Sequence, residues 1–356
     1  LKSSSSITSL IARALDGGAG LARTGPSNGI RDVIDRSLRA AGLTPAGADH
    51  ATVDWPVRPP PRPQPPPRAP AAAGEFTAFV HTSHHGTLAC KLYVPSGYDR
   101  TPMPLLVMLH GCKQNPDDFA AGTRMNEFAE RNGFLVAYPA QSMRANGSNC
   151  WNWFESAHQT RQGAEPSLIA GMVKDIAARF SVDDRRMFVA GLSAGAAMAV
   201  ILGHTYPEVF SGVAAHSGLP VAAAHNVASA FAAMRQGVQG DSRGAGATAP
   251  VRTIVFHGDA DPTVSIANGR AIVTQAVAAY AAAGTRLERS TRPDASAGAR
   301  NCTVTRYLDD AGDEAIEEWV VREGAHAWFG GSPSGSYTDS GGPDASREIV
   351  RFLLNR

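Results

Sequence analysis

Met187-Phe188-Val189-Ala190 runs directly into Gly191-Leu192-Ser193-Ala194-Gly195, and the residues from Ala196 to His204 continue small and apolar. An apolar run, then G-x-S-x-G, then a helix-forming stretch predicts a strand, a sharp turn and a helix, with Ser193 held on the turn. Glycine is needed on both sides, because the backbone of such a turn is strained and a side chain there would collide with neighbouring segments. The pentapeptide alone carries little weight in a chain with 36 glycines; the strand before it and the helix after it make it specific. A serine so placed is a nucleophile candidate, and it needs a base, an acid and an oxyanion site elsewhere in the chain.

Further apolar runs lie on either side, at 105–109, 134–138, 212–215, 254–256 and 316–321, and between them are helical patterns at 117–131, 167–180, 266–282 and 344–354. Apolar runs that are continuous rather than alternating suit strands covered on both faces, and the alternation of strand with helix predicts parallel connections. Residues 74–356 therefore read as one α/β domain, a mostly parallel doubly wound sheet with helices on both faces. Asn115 is placed to cap the helix that Pro116 begins. The chain upstream is different in kind. Residues 1–55 contain one amphipathic helix, with Ile30, Val33, Ile34, Leu38 and Leu43 on one face and Ser27 or Asn28 as its cap. Residues 56–73 hold nine of the 24 prolines and read as a linker. The helix either packs on the main domain or on itself, or it docks on a partner or a membrane surface and, with the linker, tethers the domain.

With 33 basic and 32 acidic residues the net charge is +1, and 43% of residues are hydrophobic against 18% charged. That balance argues against a disordered chain and against a nucleic-acid partner. No apolar stretch approaches the roughly 18 residues of a membrane-spanning helix, so no transmembrane segment is expected. Cys90, Cys112, Cys150 and Cys302 lack metal-ligand or CxxC spacing, and neither a metal nor a cofactor is expected. Four cysteines allow three pairings, among which sequence does not choose. Their even number favours an extracellular or periplasmic location over a cytoplasmic one.

The partners of Ser193 come from later loops. After the run 254–256 stands His257-Gly258-Asp259-Ala260-Asp261. Asp261 is the preferred acid, because it lies farther into the loop where a side chain can turn back, and Asp259 is the fallback. His326, in Gly324-Ala325-His326-Ala327-Trp328, follows the run 316–321 and sits where the base must come from. His84, His85, His158, His204, His216 and His225 have no such placement and read as surface or packing residues. Oxyanion stabilisation asks for two backbone N–H groups, assigned to Ala194 and to Cys112 in the loop His110-Gly111-Cys112. His110 reads as a support for that loop.

In chain order, LHGCKQNPDDF (109–119), SNCWNWF (148–154), AGLSAGAAMA (190–199), FHGDADPTV (256–264) and GAHAWFGG (324–331) resemble five segments of one esterase family. They correspond to its oxyanion loop, aromatic lid segment, nucleophile elbow, acid loop and histidine loop. The family includes polyhydroxybutyrate depolymerases and has feruloyl and acetylxylan esterases as relatives. The resemblance covers roughly residues 76–330. It implies an α/β-hydrolase fold and a serine carboxylic-ester hydrolase acting through an acyl-enzyme, with Ser193, Asp261 and His326 as triad and Cys112 in the oxyanion hole. Polyhydroxyalkanoate, polyester-type or short-chain esters are the implied substrates, with plant cell-wall esters as the alternative.

Trp151, Trp153 and Trp328 are expected to bind substrate, Trp328 above all because it lies two positions from His326; packing in the core is the competing reading. Cys112 and Cys150 both belong to loops expected near the site, so a disulfide between lid segment and oxyanion loop is a further expectation. Two features depart from the family pattern. Phe329 stands where a proline often follows the tryptophan, and no additional binding domain follows before Arg356, which favours soluble esters or amorphous polyester over crystalline polymer.

Overall fold

The structure, a computed structural model, describes residues 74–238, 249–294 and 300–354. The amphipathic helix expected near residues 27–43 and the proline-rich linker lie outside the described residues. Strands β1 (Glu75–Ser83) and β2 (Gly86–Val94) form an antiparallel hairpin that leads into β3 (Met103–Leu109). Helices α1 (Pro116–Thr123) and α2 (Met125–Asn132) then lead to β4 (Leu135–Pro139), and a 3₁₀ turn (Ser156–Gln159) precedes α3 (Ala164–Arg179). Next come β5 (Val182–Leu192), α4 (Ala194–Thr205), β6 (Gly212–His216), α5 (Val227–Gln236), β7 (Arg252–Gly258) and α6 (Ile266–Ala282). The chain closes with β8 (Glu288–Asp294), β9 (Cys302–Leu308), β10 (Glu314–Val321), the short pair β11 (Trp328–Phe329) and β12 (Thr338–Asp339), and α7 (Ala345–Leu354).

Ten strands make one sheet in the order β1-β2-β4-β3-β5-β6-β7-β10-β9-β8. From β4 to β10 every pairing is parallel, and the pairs at both edges are antiparallel. The order reverses direction between β3 and β5, and the crevice outside the carboxyl ends of strands at such a switch point is where α/β sheets place ligands. The loop after β3 and the turn after β5 both open there.

Strands β4 and β6 are buried at every position, as expected of strands covered on both faces. Alternation along β3 divides the core. Leu105, Val107 and Leu109 pack with Ile169, Val173 and Ile176 of α3 and Met198, Ile201 and Leu202 of α4. On the opposite face Leu106 and Met108 pack with Phe119 of α1, Phe128 of α2 and Ile349, Phe352 and Leu353 of α7. Each such large apolar side chain contributes about 1.5–3 kcal/mol by leaving water.

One expectation changes. The single helix read over 117–131 is two helices, broken at Arg124, whose backbone is left-handed (φ 55°) and whose guanidinium reaches Gly330 O and Asp344 Oδ2 at 3.0 Å each. The capping expected of Asn115 is present, with its side chain accepting from Asp118 N at 2.9 Å. The edge strands carry no continuous apolar run: β1 is mostly exposed, and β8 reads ERSTRPD.

Candidate active site

Ser193 stands between β5 and α4 with φ 57° and ψ −117°, a conformation that side-chain-bearing residues rarely adopt. Strain of this kind costs on the order of 1–3 kcal/mol and persists only where the surroundings impose it. The flanking glycines make room for the tight turn. A Cβ on Gly195 would lie 2.1 Å from Leu109 O, and one on Gly191 would lie 2.3 Å from the carbonyl carbon of Gly195. Ser193 N donates to His216 O at 2.9 Å, while the hydroxyl makes no capping bond to the helix it precedes. The half-buried hydroxyl is thus not spent on the backbone.

Asp261 lies on the loop after β7. Its Oδ1 accepts from Thr263 N at 2.9 Å and Val264 N at 2.8 Å, and its Oδ2 accepts from His326 Nδ1 at 2.7 Å. With Nδ1 donating, the neutral imidazole keeps its lone pair on Nε2. Burial would raise the Asp261 carboxyl, but the charge of His326 and its hydrogen bond, together with His257 and the Val264 N–H, hold it down at about 2. Asp259 does something different: its Oδ1 accepts from Glu323 N at 2.6 Å and so braces the left-handed turn at Glu323. Of the two aspartates left open by sequence, Asp261 is the one paired with His326.

The loop after β3 presents its amides selectively. Gly111 N donates to Gln114 Oε1 at 2.9 Å, and Lys113 N donates to Ser148 O at 2.7 Å. The Cys112 N–H between them forms no hydrogen bond among the described residues. Ala194 is the first residue of α4, where N–H groups have no partner within the helix. Gln114, a buried side chain not singled out from sequence, also donates to Asp118 Oδ2 at 2.8 Å and Ser336 O at 3.1 Å, tying this loop to the segment beyond His326. His110 supports the loop as expected. Its Nδ1 donates to Gly111 O at 2.8 Å, its Nε2 accepts from Gln141 N at 3.1 Å, and burial pulls its pKa down to about 4, so it stays neutral.

Cys112 and Cys150 are joined by a disulfide, and Cys90 and Cys302 are buried thiols outside it. The segment carrying Cys150 is fixed in turn. Gln141 Nε2 donates to Cys150 O at 3.0 Å, and the buried Glu165 carboxylate accepts from Gln141 Nε2 at 2.5 Å and Asn152 N at 2.8 Å.

The tryptophans lie elsewhere than expected. Trp328 is 1% exposed; its Nε1 donates to Ser346 Oγ at 3.0 Å and its ring stacks on His216 at 5.1 Å. Trp151 is 1% exposed and donates to His110 O at 3.1 Å, and Trp153 is 5% exposed with its ring edge-on to Phe154. These three are packing residues behind the loops and offer substrate almost no surface. Phe329 is likewise buried, 4.6 Å from the His216 ring, and forms no cleft wall. Among the described residues no group of His, Cys, Asp or Glu side chains is arranged to hold a metal, and no helix is long and apolar enough to cross a membrane.

A strained serine, a histidine oriented by a buried carboxylate and two amides at one end of the sheet form a constellation suited to acyl transfer. The model of the Esterase PHB depolymerase family matches residues 88–296, more than half of the chain. The chain belongs to that family. Within the PHB depolymerase esterases and their relatives, it is 38% identical over 200 residues to the poly(3-hydroxyalkanoate) depolymerase C of Paucimonas lemoignei, across 53% of this chain and 48% of the relative. It is 37% identical over 139 residues to feruloyl esterase B of Neurospora crassa, across 39% and 46%. The chain spans about half the length of these curated relatives. The solved acetyl xylan esterase from Aspergillus awamori matches 78% of this chain and 98% of its own with a TM-score of 0.62 at 19% identity. That likeness shows the fold, which is the α/β-hydrolase fold.

Proposed function

We propose that this chain is a serine carboxylic-ester hydrolase that works through an acyl-enzyme. The observation that carries the reading is the 2.7 Å bond from His326 Nδ1 to the buried Asp261 carboxylate, on loops at the same end of the sheet as the strained Ser193. Ser193 Oγ attacks the ester carbonyl carbon while His326 Nε2 takes the hydroxyl proton. The charge that develops on the carbonyl oxygen is met by the N–H groups of Cys112 and Ala194. Asp261 stabilises the imidazolium, which then gives its proton to the leaving alkoxide. Water, deprotonated by the same imidazole, attacks the acyl carbon, the bond to Ser193 Oγ breaks as the imidazolium returns the proton to that oxygen, and the acid is released. None of these steps calls for a cofactor.

The substrates proposed are polyester-type hydroxyalkanoate esters or short-chain esters, supported by the likeness to the poly(3-hydroxyalkanoate) depolymerase C. Feruloyl or acetylxylan esters are the second reading, supported by the 37% identity to a feruloyl esterase B. The Cys112–Cys150 disulfide supports action in an oxidising compartment, extracellular or periplasmic. Rates on p-nitrophenyl esters of increasing acyl length, on 3-hydroxybutyrate oligomers and on methyl ferulate test the proposal. Oligomers turned over faster than ferulate support the first substrate class, the reverse order supports the second, and no turnover of any ester refutes the reading.

A further inference from the structure

His216 is fully buried at the end of β6, and the mechanism above makes no use of it. Its main chain and its side chain hold different parts of the site. The carbonyl oxygen accepts from Ser193 N at 2.9 Å and so fixes the nucleophile turn. The ring Nε2 accepts from Phe329 N at 3.1 Å, three residues beyond His326, and so fixes the loop that carries the base. Because an amide N–H is only a donor, Nε2 must hold a lone pair, and in the neutral ring the proton sits on Nδ1, 3.4 Å from Ser217 Oγ. Aromatic packing locks the ring, which stacks on Phe256 at 5.7 Å and on Trp328 at 5.1 Å. Ser217, left-handed at φ 51°, has its N–H bonded to Phe256 O at 2.8 Å, which holds the end of β6 against β7.

The titratable groups that act on this ring are His257, His326 and Asp261, and burial drives its own pKa well below the usual histidine range. A proton on Nε2 would remove the acceptor for Phe329 N. Burial thus preserves the protonation state that the bond requires.

We infer that His216 is a positioning residue for ester hydrolysis: it sets the distance between Ser193 and His326 by anchoring the nucleophile turn through its carbonyl and the histidine loop through its imidazole. This rests on the Ser193–His326–Asp261 reading. A displacement of about 1 Å between reacting groups is enough to cost as much as 100-fold in rate. An apolar ring in its place would also leave the Phe329 N–H buried without a partner.

The test compares His216→Phe, which keeps the shape without the acceptor, with His216→Gln, which restores an acceptor oxygen. A fluorophosphonate reports both the fraction of chains whose serine can be labelled and the rate of labelling, and turnover is followed on p-nitrophenyl butyrate. His216→Phe should label to the wild-type extent but roughly 10- to 100-fold more slowly, with kcat reduced in proportion and KM little changed. His216→Gln should recover most of the rate. Wild-type labelling rates in His216→Phe, or a glutamine variant as slow as the phenylalanine variant, would overturn the inference. Wild-type protein that does not label at Ser193 refutes the esterase reading instead. Hydrogen exchange at the Phe329 amide still decides the structural claim in that case: protection in wild type and His216→Gln with loss in His216→Phe supports it, and equal exchange in all three overturns it.

Discussion

Gly258 and Gly324 cross with no room for a side chain: a Cβ on Gly258 would lie 2.0 Å from Gly324 O, and one on Gly324 would lie 3.0 Å from the Gly258 Cα. The crossing is pinned by Asp259 N to Val321 O at 3.0 Å and Ala260 N to Gly324 O at 3.2 Å. Two loops pressed together at this point bring Asp261 and His326, 65 residues apart, within one hydrogen bond. The two aspartates divide the work, one braced against backbone and one paired with imidazole.

That division predicts unequal costs. Asp261→Asn should lower kcat by about 10⁴, the loss known for the same change in a serine protease triad. Asp259→Asn keeps an acceptor oxygen for Glu323 N and should cost less than tenfold, within the 0.5–1.5 kcal/mol typical of one hydrogen bond. Steady-state kinetics of both variants on a soluble ester decide the matter, and a reversed order would move the acid to Asp259.

Ser193→Ala should abolish turnover and phosphonate labelling with little change in Tm, since the hydroxyl makes no capping bond. Mass mapping of wild type should find the label on Ser193 alone. A variant that still turns over ester would remove Ser193 from the mechanism.

Asp261 also gives stability a pH dependence. Its carboxyl is held at about 2 in the folded chain against an ordinary 3.8, so the unfolded chain binds this proton more tightly. The resulting contribution, on the order of 2 kcal/mol, is full above pH 3.8 and disappears as pH falls through about 2. The Tm gap between wild type and Asp261→Asn should therefore narrow from pH 5 to pH 2, measured by calorimetry. A gap independent of pH would assign the cost to packing.

Reductant should act on one bond. Cys90 and Cys302 are buried thiols, with that of Cys90 pushed up to about 12 by burial, so opening Cys112–Cys150 should raise the thiol count from two to four. Because Cys112 carries the proposed oxyanion N–H, kcat should fall before global unfolding. Unchanged kcat with four thiols titrated would mean that Gln114 holds the loop without the disulfide.

For residues 1–73 we propose a tethering role with no part in the hydrolase chemistry. A chain beginning at Gly74 should keep kcat/KM on a small soluble ester within about twofold, since every group assigned a chemical role lies beyond residue 105. A fall in Tm of more than about 4 °C, roughly 1 kcal/mol or more, would show instead that these residues contribute to the stability of the body.

Sequence alone determined the strand–turn–helix around Ser193, the run of buried parallel strands and the cap at Asn115, because each depends on residues within a few positions of one another. It also narrowed the acid to two residues and the base to one. It did not reveal that Trp328 stacks on His216 inside the core, that Gln114 reaches Ser336, 222 residues away, or that the His216 ring accepts from Phe329 N, 113 residues away. Such partners are chosen by which strands lie side by side and how far their loops project. That depends on the order of the whole sheet, so the choice between Asp259 and Asp261, the fate of the tryptophans and the anchoring of the histidine loop belonged to the tertiary structure.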